Sequence, residues 1–113
     1  MARLQGHKTA EMRSLAYHRR VAEKLSADAS LLARASAKVD AALGEAGSAL
    51  APHYARGWRR LLDGPKADLL AFLVSDSQEA RDYRQASPFA GALSARERWD
   101  LWRTAGELPG PDR

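Results

Sequence analysis

The chain is almost without β-branched residues: three valines, two threonines and no isoleucine in 113 positions. Such side chains suit a pleated strand surface, where the branched Cβ packs against its neighbours. No stretch alternates apolar and polar positions over a useful length. The apolar residues recur instead at spacings of three and four, which put them on one side of a helix. The expected fold class is therefore all-α.

Met12, Leu15, Ala16, Ala22 and Leu25 outline a first helix over 9–26. Arg13, Arg19, Arg20 and Lys24 fall between them, and Thr9 is placed to cap it. Leu31, Leu32, Ala35, Val39, Ala42 and Leu43 outline a second helix, capped by Asp28 or Ser30 and ended at Gly44 and Gly47. With few residues between them, the two are expected to form an antiparallel hairpin over 1–47. Much of its apolar stripe is alanine, which contributes little burial energy. The hairpin is expected to need a further surface to cover it.

Residues 48–106 read as a small bundle of about four short helices. Pro52 suits the first turn of the next helix, which carries Tyr54, Trp58, Leu61 and Leu62 and stops at Asp63-Gly-Pro65. Leu69, Leu70, Phe72, Leu73 and Val74 make a helix apolar around most of its girth, expected at the buried centre of this half. Asp76 with Glu79, and Ser94 with Glu97, have capping-box spacing and start two more helices. The second of these carries Trp99, Leu101 and Trp102. Gly106, Pro109, Gly110 and Pro111 end the pattern, so 107–113 is expected to be a flexible tail.

Several chemistries find no support. The absence of cysteine removes disulfides, thiol catalysis and thiolate metal sites, and it fits a reducing cytoplasm. His7, His18 and His53 lack metal-ligand spacing, and there is no glycine-rich phosphate loop. No apolar run has the length of a membrane span, and no signal peptide opens the chain. The expectation is a non-catalytic, cytoplasmic protein with no cofactor, no metal and no membrane contact. The net charge of +4, with arginine outnumbering lysine 14 to 4, favours an acidic partner.

Four features invite a functional reading. Arg13 and His18 stand five apart on the first helix. The pair resembles the R-x4-H arrangement of HEPN-type ribonucleases, whereas a basic solvent-facing strip is the blander reading. Arg56, Arg59 and Arg60, interleaved with Tyr54 and Trp58, suit nucleic-acid phosphates, an acidic protein groove, or a solvated helix face. Trp99 and Trp102 suit a core or an exposed anchor. The most specific feature is the run from Asp82 to Trp99: a helix end, a bend at Ser87-Pro88, a lone Phe89, a hinge at Gly91 and a fresh helix start. Phe89 reads either as core or as a plug for another protein's groove.

The blocks His18 to Leu25, Asp28 to Ala35, and Trp58 through Ser87-Pro-Phe-Ala-Gly91 to Trp99 resemble a family of small antitoxin-like bacterial proteins. The resemblance spans about 16–103, and its most specific part is the SPFAG segment. It implies neutralisation of a cognate toxin, nucleotidyltransferase-like or ribonuclease-like, by occlusion of its active site. The residues carried to such an interface are Arg81, Arg84, Gln85, Ser87, Pro88, Phe89, Gly91, Arg19, Arg20 and Trp99. Promoter DNA is a second candidate partner, and self-association stays open. The alternatives are a nucleic-acid-binding transcriptional regulator and a small HEPN-like ribonuclease using Arg13 and His18.

Overall fold

The computed structural model describes residues 2–45 and 48–105, with side chains over 10–45 and 48–103. The expected tail at 107–113, the side chain of His7, and Gly47 lie outside the described residues. Six helices follow one another: α1 (Ala2–Ala27), α2 (Ala29–Gly44), α3 (Pro52–Asp63), α4 (Lys66–Leu73), α5 (Gln78–Gln85) and α6 (Ala95–Ala105). There is no strand among the described residues, so the protein is all-α.

Local chemistry accounts for most boundaries. Asp28 alone separates α1 from α2, and its carboxylate accepts the Ser30 N–H at 2.9 Å. Pro52 opens α3 without a capping side chain, because its missing N–H needs no partner there. The capping box at the start of α6 is complete: the Ser94 N–H donates to Glu97 Oε1 at 2.9 Å, and the Glu97 N–H to Ser94 Oγ at 3.0 Å.

Two expected caps are displaced. Thr9 lies inside α1, which starts at Ala2; one glycine, Gly6, weakens a helix without ending it. The cap of α5 is Ser77, whose hydroxyl accepts the Ala80 N–H at 3.1 Å. Asp76 turns instead to the Arg81 guanidinium at 2.7 Å, so the charge partner wins over the backbone amide.

α1 and α2 contact each other as a helical pair, and both also pack on the second half of the chain. α2 lies chiefly along α3, while α1 crosses to α4, α5 and α6. Val21, Leu25, Leu31, Ala35 and Val39 share one buried cluster with Trp58, Leu69, Leu73, Tyr83, Phe89 and Leu93. The alanine-rich stripe is thus covered from within, by the second half of the same chain. Small side chains let those helices approach closely, and the large ones that fill the space come from beyond residue 48.

The centre of this core is Trp58 rather than α4. Its side chain is fully buried, with ring centroids 5.9 Å from Phe72, 5.6 Å from Tyr83 and 5.9 Å from Phe89, all edge-on. That geometry is the favoured one for aromatic pairs. In α4 only Leu69 and Leu73 are buried, and Ala71 is exposed. Gly57 has a specific role: a Cβ there would collide with the Tyr83 ring and hydroxyl. Tyr83 enters the core across that bare backbone.

Candidate functional site

The non-helical run over 86–94 must satisfy its own backbone, since no helix does it. Four elements contribute donors to its carbonyls. Trp58 Nε1 donates to Ala86 at 2.7 Å, and the Tyr17 hydroxyl to Phe89 at 2.8 Å. Lys38 donates to Ala90, Arg34 to Gly91 at 3.4 Å, and Lys24 to Ala92 at 3.3 Å. Arg98 donates to Leu93 at 3.0 Å. A turn closes from the Ala92 N–H to the Phe89 carbonyl at 3.0 Å, with Gly91 at φ 86°. A positive φ at that third position is what a type II turn requires, and glycine adopts it without strain.

Phe89 therefore does not project from a bend. It is 1% exposed and packs edge-on against Trp58, with Pro88 buried beside it. The proline bend aims the ring inward, and the ring's burial is the hydrophobic gain that holds the loop down.

His18 anchors the same run from α1. Its Nδ1 is 2.8 Å from the Ser14 carbonyl, which can only accept, so Nδ1 carries the proton. Its Nε2 then accepts the Ser87 hydroxyl at 2.9 Å, while Ser87 Oγ accepts the Phe89 N–H at 3.0 Å. Burial, partly offset by the bond to Ser14 and reinforced by the nearby Arg84 charge, holds the imidazole pKa down at about 4. His18 is neutral at physiological pH, with both nitrogens engaged.

Above this anchor, α1, α5, the loop and α6 enclose an open cleft of about 360 Å³. Arg13, Arg84 and Arg98 line it, with Tyr17, Gln85 and Trp102, and no carboxylate is among its lining residues. A smaller depression of about 190 Å³ continues past Ser14, Arg84 and Gln85 to Glu11 and Arg81. The Arg13 guanidinium lies over the Trp102 ring, 5.4 Å from its centroid. Arg84 is 6% exposed and donates to the Leu73 and Ser75 carbonyls at 3.3 and 2.7 Å, closing the C-terminal end of α4. Burial, and after it the charge of Arg81, pulls its pKa below the usual guanidinium value.

The fold brings together part of the set expected at an interface. Arg81, Arg84, Gln85, Ser87 and Gly91 line this continuous depression. Pro88 and Phe89 point into the core. Arg19 and Arg20 are exposed on α1 outside the cleft lining, with Arg20 paired to Glu23 at 3.0 Å. Trp99 is 56% exposed on α6 and does not line the cleft. Of Arg56, Arg59 and Arg60, Arg59 is held by Asp63 at 2.8 Å and Asp40 at 2.7 Å, which keep its pKa raised.

Sequence reasoning did not assign Tyr17 or Arg98 to a site; it weighed Trp102 as core or exposed anchor, and Arg13 as half of a catalytic pair or part of a basic solvent-facing strip. Their spacing was the available signal: Arg13 with Tyr17, and Arg98 with Trp102, are each four apart and share a helix face. Among the described residues, no group of His, Asp or Glu side chains is placed to hold a metal ion, and no helix is long and apolar enough to cross a membrane. No protein-family model, curated protein or solved structure matches the chain.

Proposed function

We propose that this protein is a non-catalytic, antitoxin-like binding protein that neutralises a cognate toxin by covering its active site. The observation that carries the reading is the cleft between α1, α5 and α6. Three guanidinium groups line it and no carboxylate does. Elsewhere several surface cations are already compensated: Arg20 by Glu23, Lys24 by Glu97, and Arg59 by Asp40 and Asp63. An acidic surface is the complement of an arginine-lined, aromatic-floored depression, and Arg and Trp are the residue types that dominate interface energetics. The solvent-facing Trp99 on α6 adds an apolar contact of the same kind. His18, with both nitrogens bonded into the loop anchor, supports a structural rather than a proton-transfer role.

The test is a growth assay built on partner identification. The tagged protein is recovered from its native host after nuclease treatment at moderate salt, and each stoichiometric partner is expressed alone. The reading requires a partner that arrests growth by itself and is relieved by co-expression of this chain. Recovery of nucleic acid only, lost on nuclease and salt treatment, would assign the protein to the nucleic-acid-binding regulators instead.

A further inference from the structure

Arg13 is held differently from the other two arginines of the cleft. Arg84 and Arg98 each spend donors on backbone carbonyls. Arg13 makes no hydrogen bond to any described acceptor, and its Nε is buried without a partner. The indole N–H of Trp102, in the same cleft, is also buried without a partner. One face of the Arg13 guanidinium is covered by the Trp102 ring. A guanidinium stacked in this way still presents its Nη groups, which are not among the buried, unpartnered atoms and carry N–H donors in a rigid fork.

We propose that Arg13 and Trp102 form a preorganised carboxylate site, which takes an Asp or Glu side chain from an acidic segment of the protein partner. Arg13 grips the carboxylate edge-on through paired N–H groups, and Arg98 adds charge from the same helix face as Trp102. The Arg13 Nη groups are the donors an incoming oxyanion reaches, and a charge-assisted pair forms there against the Trp102 ring. The site suits one discrete anionic group. A nucleic-acid backbone needs a longer positive track. Here Glu11 closes the far end of the depression, and Asp76 already holds Arg81 there. The inference rests on the protein-binding reading and specifies its chemistry.

The test uses the full chain, labelled with nitrogen-15 and titrated with a capped hexaglutamate peptide, a hexaglutamine peptide and a short oligothymidylate. The Arg13 Nε–H and Trp102 indole signals report on the site. Hexaglutamate should shift both, and Arg13→Gln should weaken its binding by about tenfold, as expected for loss of a charge-assisted bidentate pair. Arg56→Gln makes the same charge change at an exposed position on α3 and should leave the affinity within about twofold. Arg13→Lys keeps the charge and loses the fork, so it should not restore binding. Equal weakening by Arg13→Gln and Arg56→Gln would reduce the effect to general charge attraction and overturn the site. So would hexaglutamate that leaves both signals unmoved, or oligothymidylate that binds through Arg13 more tightly than hexaglutamate does. If a toxin is neutralised equally well by wild type and Arg13→Gln, the antitoxin reading stands and this site falls. If hexaglutamate binds at Arg13 and no toxin exists, the site stands and that reading falls.

Discussion

Acidification should weaken this protein through His18 before most of its carboxylates titrate. The imidazole pKa falls from 6.5 in the unfolded chain to about 4 in the fold. At pH values above the unfolded pKa both states are neutral there, and His18 contributes no pH dependence. Between pH 6.5 and about 4 the unfolded chain takes up a proton that the folded protein refuses, so stability is lost as pH falls. The slope approaches about 1.4 kcal/mol per pH unit. Integrated from about pH 7 to about pH 4.5, the loss is about 2.5 kcal/mol. That is a large share of a small domain's stability of about 5–15 kcal/mol. Urea unfolding of wild type and His18→Gln at the two pH values measures it. The variant loses the titrating group, so the difference between the two proteins isolates His18 from carboxylates such as Glu97 and Asp76. Those are held below their usual range by the Ser94 amide and by Arg81 respectively, and they titrate in both proteins. The variant's overall stability is immaterial, because only the change with pH is compared. If wild type and variant lose equal stability between the two pH values, the buried neutral imidazole is refuted.

Phe89→Ala should cost about 3–5 kcal/mol in urea unfolding, as for a large aromatic removed from a packed core, whereas Trp99→Ala should stay within about 0.5 kcal/mol. Equal effects would contradict the inward setting of Phe89. Gly57→Ala should destabilise by about 1–3 kcal/mol through overpacking, with altered near-ultraviolet circular dichroism from Tyr83; an unchanged spectrum and midpoint would mean that Tyr83 does not rest on Gly57. Ser94→Ala should lower stability by about 1 kcal/mol by removing one half of the capping box, and the loss should shrink in a Glu97→Ala background if the pair acts together.

Local rules carried far along this chain. Periodicity and the shortage of β-branched residues led to an all-α fold, and Asp28, Pro52 and the Ser94–Glu97 pair mark real helix starts. Where two local signals compete, sequence does not rank them. Asp76 and Ser77 both suit a cap, and the distance to Arg81 decides which one caps. The candidate site was less legible, since its walls come from α1, α5, the loop and α6, residues up to about ninety positions apart. The SPFAG segment stood out as specific, but specificity has two sources. Most of its side chains and carbonyls meet demands of the fold: burial of Pro88 and Phe89, a positive φ at Gly91, and hydrogen bonds to Tyr17, His18, Arg34 and Lys38.

By itself, then, the sequence determined the helical class, most helix ends and the basic, cysteine-free character, because spacing, capping and charge act over a few residues. Tertiary structure alone decided that the two halves share one core, that Phe89 turns inward and that His18 is neutral. It also decided that three arginines converge on one cleft. Burial and charge compensation depend on which distant side chains arrive at the same place, and no local pattern encodes that arrival.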